Sequence, residues 1–301
     1  MTQQINKIGV VGLGAMGMGM ARSLVRAGLE VHVCDVRPEA VQALVDAGGH
    51  AATSPADLAT KVDALLIVVV NAVQTEQVLF GENGAAAHLK PGSVVIASAT
   101  VAPEFAEALG ARLLALGLRF LDAPISGGAA KAASGEMSVM ASGDPATFAV
   151  CEKLFDAICA NLYRLGDAPG QGSKVKMINQ LLAGVHIAAA AEAMALGLRA
   201  GCDPDALYEV ISNSAGSSWM FQNRVPHILK GDYTPLSAVN IFVKDLGIVL
   251  DYAKKSVFPL PLSSTAHQMF MQASAAGHGG EDDSAVVKVF PGITLPAAKA
   301  D

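Results

Sequence analysis

Charge is scarce in this 301-residue chain: only 16% of residues are Asp, Glu, Lys or Arg, and the formal balance is −6. No block of Lys or Arg occurs anywhere, which argues against a nucleic-acid partner. Cysteine is scarce too. Cys34, Cys151, Cys159 and Cys202 are scattered, with no C-x-x-C pair and no histidine at zinc spacing. No metal site is expected, and the thiols read as reduced residues of a cytoplasmic protein. The opening "MTQQINKIGVVGLG" lacks a charged segment followed by an apolar one, so no secretory signal is expected. Aliphatic residues are what the chain has: apolar types reach 52%, enough for a large core and too many for disorder.

A single core usually stops growing near ~250–300 residues, so two domains are expected. Strand-like runs ("KIGVVGLG", "LEVHVCD", "DALLIVVV", "SVVIASAT", "RFLDAP", "MSVMASG") alternate with helix-like ones up to about residue 166. Such alternation predicts a Rossmann-type, doubly wound parallel sheet over residues 1–166, an α/β fold. Residues 167–301 carry no strand signal and predict an all-α domain that begins with the long interdomain helix. The apolar run from about Met177 to Ala200 could span a bilayer, but Gln180, His186, Glu192 and Arg199 interrupt it. It reads as a core helix, with no membrane partner. Asp203 and Pro204 have the chemistry of a helix start, and "GHGGEDDSA" (277–285) reads as a loop. Few charges on a helical domain point to subunit contacts, hence a homo-oligomer.

"GLGAMG" places Gly12, Leu13, Gly14, Ala15, Met16 and Gly17 between an apolar strand and a helix. An acid, Asp35, stands 18 residues after the last glycine, at the end of the next strand. In that context the glycine run is a dinucleotide signature. Gly12 permits the tight turn, Gly14 lets backbone approach the pyrophosphate, and Gly17 lets the helix pack on the sheet. The Asp35 carboxylate suits ribose hydroxyls and repels a 2′-phosphate, which favours NAD over NADP. Arg37 could soften that preference, although a solvated loop residue is the plainer reading.

"GQGSKVKMINQ" (170–180) leads into the long apolar helix. A cation in a first helical turn opposes the dipole at a cost of ~0.3–1 kcal/mol, so helix stability does not explain the two lysines. A lysine acts as a general base only when neutral, far below its ordinary pKa near ~10.4. Burial, a helix N-terminus and a nearby nicotinamide cation would all disfavour the ammonium form. Asn179 follows Lys176 by three residues and can reach the same ligand. Lys174 lies about 200° around the helix from Lys176. Periodicity does not choose between the lysines, because apolar residues surround the helix.

Two other stretches suit ligands. Ser126, Gly127 and Gly128 of "DAPISGG" offer small side chains and backbone N–H groups that fit a carboxylate, or else an ordinary capping turn with Ser126 as N-cap. Val70, Asn71 and Thr100 fall at the carboxy ends of strands, where open α/β sheets bind ligands.

"GLGAMGMGMA", "DAPISGGAAKAASG", "GQGSKVKMINQ" and "IFVKDLG", in that order over nearly the whole chain, resemble the β-hydroxyacid dehydrogenases, the family of 3-hydroxyisobutyrate dehydrogenase. The family pattern G-x-G-x-x-x-K-x-x-N falls on Gly170, Gly172, Lys176 and Asn179. The resemblance implies that Lys176 is the catalytic lysine and that Asn179 hydrogen-bonds substrate. It further implies that Ser126, Gly127 and Gly128 hold the substrate carboxylate. Val70, Asn71 and Thr100 would line the nicotinamide half, and Lys244 of the K-D-L motif would reach the cofactor; a lysine paired locally with an acid is the plainer reading of Lys244. Relatives often carry proline where Asn71 stands, and many carry a second asparagine where Gln180 stands. The fuller text, including "GSSWMFQNR" and "GDYTPLSAVNIFVKDLG", is most similar to the branch that oxidises L-threonate. That implies NAD-dependent oxidation of a small polyhydroxy acid to its 2-oxo product. Turnover of tartronate semialdehyde or 3-hydroxyisobutyrate is the alternative, and a non-catalytic NAD sensor the rival from another class. His186 reads as a core residue, and Trp219 as packing or as cover for a ligand.

Overall fold

The structure is a computed structural model and describes residues 4–297. Two compact units divide the chain between Lys176 and Met177. In the first, five of the six apolar runs form one sheet together with the short, exposed β3, and the sixth, "MSVMASG", does not: the strands are β1 (Lys7–Val11), β2 (Glu30–Cys34), β3 (His50–Ala51), β4 (Ala64–Ile67), β5 (Val94–Ala97) and β6 (Arg119–Asp122). They pair in the order β3-β2-β1-β4-β5-β6, every neighbour parallel. Helices α1 (Ala15–Arg26), α2 (Pro38–Val45), α3 (Pro55–Ala59), α4 (Ala72–Phe80) and α5 (Pro103–Ala115) cross between them. The sheet is covered on both faces, so its inner strands are apolar throughout: along β4, Ala64 and Leu66 enter one core while Leu65 and Ile67 enter the other. Proline at the start of α2 and α5 sets the helical φ where no N–H is needed.

Beyond β6 the first unit adds elements only partly visible in the sequence. β7 (Ile125–Ser126) pairs antiparallel with β8 (Met137–Ala141), which pairs parallel with β9 (Cys159–Arg164). Helices α6 (Gly128–Ser134), α7 (Pro145–Val150) and α8 (Glu152–Ile158) lie among them, the last two separated only by Cys151.

The long helix α9 (Gln171–Arg199) starts six residues earlier than its apolar pattern suggests. The reason is Asp122, the last residue of β6. Its carboxylate accepts from the Gly170 N–H at 3.0 Å, the Ser173 N–H at 2.8 Å and the Ser173 hydroxyl at 2.7 Å. The Ser142 hydroxyl donates to the same carboxylate at 3.4 Å and accepts from the Gly172 N–H at 3.0 Å. A strand-end acid therefore caps a helix that has no local cap. Burial pushes the Asp122 carboxyl up, against the opposing pull of these donors. The glycines are required by the same dock. Gly170 has φ +98°, and a Cβ on Gly172 would lie 2.4 Å from the Met140 carbonyl oxygen.

In the second unit α9 continues with α10 (Pro204–Ser212), α11 (Trp219–Lys230), α12 (Val239–Lys255) and α13 (Pro261–Ala273). The apolar stretch of α9 is long enough for a membrane by composition. One side of it, through Ile187, Ala188, Ala190, Ala191, Met194 and Ala195, packs into a helical core with Phe221, Phe242 and Phe270. Asp203 caps α10 by accepting from the Ala206 N–H. The loop expected at 277–285 is corrected at its end: Asp283–Val289 form a buried 3-10 helix. Its acids have partners that sequence proximity hides, since Asp283 pairs with Arg224 of α11 at 2.5 Å and Asp282 accepts from Leu236 N–H.

Replacing Asp122 by Ala should lower stability by about 3 kcal/mol or more, because several buried donors lose their acceptor at ~1–3 kcal/mol each. Thermal unfolding checks this, and a fall below about 1 kcal/mol would contradict the dock.

Candidate active site

The strand ends of the first unit line up in one row. Cys34, Val11, Ile67, Ala97 and Asp122 are register partners across β2, β1, β4, β5 and β6. The residues that follow them occupy the carboxy edge of the sheet. There lie Gly12 and Asp35, one residue past their strands, and Val70 and Thr100, three past theirs. The order of crossovers reverses between β1 and β4, and that crevice is where doubly wound sheets bind ligands.

The glycine turn fits a dinucleotide. Gly12 has φ +96°, and a Cβ there would stand 2.3 Å from the Val68 carbonyl oxygen. A Cβ on Gly17 would meet the Gly12 carbonyl oxygen at 1.9 Å, so helix and turn touch through backbone. Around Gly14 nothing in the chain comes within 4 Å of that position; the space beside it is open. No side chain caps α1, leaving the amides of Ala15, Met16 and Gly17 in its first turn for an anion. A pyrophosphate matches this combination of open space and first-turn N–H groups.

Asp35 is held rather than free. Its Oδ2 accepts from the Leu13 N–H at 2.5 Å, and its Oδ1 accepts from the Arg37 N–H at 2.9 Å and from Arg37 Nε at 3.1 Å. Burial alone would raise its carboxyl, but the hydrogen bonds from Arg37 and Leu13 outweigh that and hold it below the ordinary range. Arg37 also donates to the Leu13 carbonyl at 2.9 Å. The arginine is thus tied to the glycine turn, where the sequence alone left it a solvated loop residue. Asn71 caps α4 by accepting from the Gln74 N–H at 2.9 Å, and Val70 beside it is exposed.

Ser126 ends β7, and Gly127 and Gly128 follow with φ +138° and +78°. Gly127, not Ser126, occupies the N-cap position of α6. This turn is seated against the glycine-turn helix: a Cβ on Gly19 of α1 would lie 2.7 Å from the Ala132 carbonyl carbon, and the Ser23 hydroxyl donates to the Ala132 oxygen at 3.2 Å. The two lysines of the 170–180 stretch separate clearly. Lys174 pairs with Glu107 at 3.2 Å, while Lys176 is only 6% exposed, in the second turn of α9. Lys176 lies beyond the first turn, where the dipole penalty falls off, whereas Lys174 closes that turn and has Glu107 beside it.

In the second unit, Asn179 donates to the Gln180 carbonyl oxygen at 3.0 Å, and Gln180 donates to Asp245 at 2.5 Å. Lys244 lies 2.5 Å from the other oxygen of Asp245. Two residues that sequence reasoning named, Asn179 and Lys244, are therefore the ends of one polar run. The acids Asp122 and Asp245 were both missed. The only signal for either was its place inside a quoted motif. His186 is half-buried on α9, and Trp219 is 57% exposed at the start of α11. Among the described residues no cluster of His, Cys, Asp and Glu is set to hold a metal ion.

Residues 7–166 match the NAD-binding domain of 6-phosphogluconate dehydrogenase, and residues 170–290 match the NAD-binding domain of NADP-dependent 3-hydroxyisobutyrate dehydrogenase. An L-threonate dehydrogenase of Cupriavidus necator is 70% identical over 96% of this chain and 97% of its own length. The L-threonate dehydrogenase of Escherichia coli K12 is 56% identical over 97% of each chain, and mitochondrial 3-hydroxyisobutyrate dehydrogenase of Rattus norvegicus is 33% identical over 93% and 85%. The crystal structure of a 3-hydroxyisobutyrate dehydrogenase from Salmonella typhimurium superposes with a TM-score of 0.91 at 57% identity, covering 94% of this chain and 99% of that one. With the glycine turn, the strand-end crevice and these likenesses over both units, the chain belongs to the β-hydroxyacid dehydrogenases, NAD-dependent enzymes of the 3-hydroxyisobutyrate dehydrogenase family.

Proposed function

We propose that the chain oxidises L-threonate at carbon 2 to the 2-oxo acid, with Lys176 as general base. The observation that carries the mechanism is the burial of Lys176 on a helix whose start is fixed by Asp122 to the strand-end row. The substrate assignment rests on relatives of that activity at 53–70% identity over nearly the full length.

NAD, when bound, accepts the hydride. Its pyrophosphate would be held by backbone amides from Leu13 to Gly17, its adenosine ribose by Asp35, and its nicotinamide half by Val70, Asn71, Thr100 and Lys244. The substrate carboxylate would be received by Ser126 and the amides of Gly127 and Gly128, two residues of positive φ that add no side-chain bulk. Asn179 hydrogen-bonds a substrate hydroxyl. Lys176 Nζ removes the proton of the reacting hydroxyl as the C–H bond breaks. The proposed division into a dinucleotide domain, residues 1–166, and a helical domain, residues 167–301, falls ten residues before the boundary between the two compact units.

Oxidation of 3-hydroxyisobutyrate is the second reading, favoured by the activity named for the Salmonella typhimurium structure. The two substrates differ in which carbon reacts, and NADH formation across a panel of C3–C5 hydroxy acids separates them. The reading also includes a cytoplasmic homo-oligomer. The four cysteines stand as free thiols, in keeping with a reducing compartment. Along α9, Val175, Ile178, Leu182 and Leu196 are 43–69% exposed, and with the exposed Ala189 they follow a heptad spacing suited to a second helix. The occupant proposed for that stripe is a second copy of the chain.

Lys176→Ala should lower kcat by about 10²–10⁴-fold with NADH affinity nearly unchanged, read by steady-state kinetics and fluorescence titration. Turnover near that of the parent would remove Lys176 from the chemistry. NAD should exceed NADP in kcat/KM by about tenfold or more, and Asp35→Ser, which releases Arg37 for a 2′-phosphate, should erase that margin. In light scattering, Leu182→Glu should shift the mass toward a monomer if the α9 stripe is a subunit contact; an unchanged mass would place the contact elsewhere.

A further inference from the structure

The polar run in the second unit joins Asn179 and Lys244 through two residues that the proposed chemistry does not use. Asp245 is 1% exposed on α12, and Gln180 is 8% exposed on α9. Gln180 Nε2 donates to Asp245 Oδ2 at 2.5 Å, and Asn179 Nδ2 donates to Gln180 Oε1 at 3.0 Å. Lys244 Nζ lies 2.5 Å from Asp245 Oδ1.

The direction of the run is dictated from its buried end. A carboxylate paired with an ammonium offers only acceptors, so Gln180 must turn its NH₂ toward Asp245. Its carbonyl oxygen is then what Asn179 meets, and Asn179 must answer with its own NH₂. An amide held by one of its N–H groups keeps its carbonyl oxygen on the other branch. Asn179, the half-buried end of the run, therefore has that oxygen left for a ligand.

We propose that Asp245, acting through Gln180, is a positioning residue that holds the Asn179 carbonyl oxygen toward the substrate, so that this point selects a hydroxyl over a methyl or oxo group. The proposal rests on the reading that Asn179 touches substrate. It accounts for a glutamine at 180: the side chain has a donor for the acid and an acceptor for Asn179, and it is long enough to span them. It also gives polyhydroxy acids their advantage, because a site left with an unmet acceptor rejects the analogue that lacks the donor.

The test is a double-mutant cycle on the full-length enzyme, with kcat and KM measured for L-threonate and for NAD. Gln180→Met keeps the length of the side chain and removes both hydrogen bonds; Asp245→Asn keeps shape and frees the run to reverse. Each should raise the L-threonate KM about tenfold with kcat within about threefold, the scale of one lost hydrogen bond. The NAD KM of Gln180→Met should stay within about twofold, which also shows that the variant is folded. In an Asn179→Ala background, adding Gln180→Met or Asp245→Asn should change the L-threonate KM by less than about twofold. A full tenfold effect persisting in that background would overturn the proposal, since the residues would then act without Asn179. Unchanged KM in both single variants would overturn it as well. An Asn179→Ala enzyme with parental kcat/KM would instead remove the premise that Asn179 touches substrate, and the proposal with it.

Discussion

One buried carboxylate ties the sheet to the helix that carries the lysine. Asp122 ends β6 in the same register row as the residues before the glycine turn, and its oxygens receive two backbone N–H groups and a hydroxyl from the start of α9. The position of Lys176 along its helix is set by that capping, one turn beyond it. A helix entered by glycines, with no cap of its own, would otherwise fray over the residues whose placement matters most.

The glycines around this dock have a shared purpose that differs from flexibility. Gly12 lies against the Val68 carbonyl, Gly17 against the Gly12 carbonyl, Gly172 against the Met140 and Asp122 carbonyls, and Gly19 against Ala132. At each point backbone meets backbone, so the strand ends, the glycine turn and the helix starts are held at fixed spacing. Gly14 is the exception, facing open space, which is the property expected where the neighbour is a ligand.

Much of this was readable beforehand, and the unreadable parts share a cause. The alternation of apolar runs and helices predicts the parallel sheet, and the glycine turn with Asp35 predicts its ligand class, because those signals are local. Choosing between Lys174 and Lys176 was not local: the helix is apolar all round, and Glu107, which draws Lys174 outward, lies 67 residues away in the chain. Asp122 caps a helix 48 residues downstream, so the apolar run that begins at about Met177 does not reveal the helix start at Gln171. The stretch "GHGGEDDSA" reads as a loop for the same reason. Arg224, the partner of Asp283, belongs to α11, a helix that the apolar pattern did not reveal.

The seat of α6 on α1 separates what can drift from what cannot. Ala132 is buried against Gly19, whereas Lys131 and Ser134 of the same helix face solvent. Asp35, the residue proposed to set cofactor preference, sits just past the end of another strand, and its hydrogen bonds are to Leu13 and Arg37. An engineer could thus retune the nucleotide choice at Asp35 and Arg37 while leaving acid recognition intact. Remodelling the Ser126 turn is a harder task, because any bulk added at Ala132 would be transmitted straight into the glycine-turn helix. On the proposed roles, cofactor choice is modular in this scaffold, and acid recognition is not.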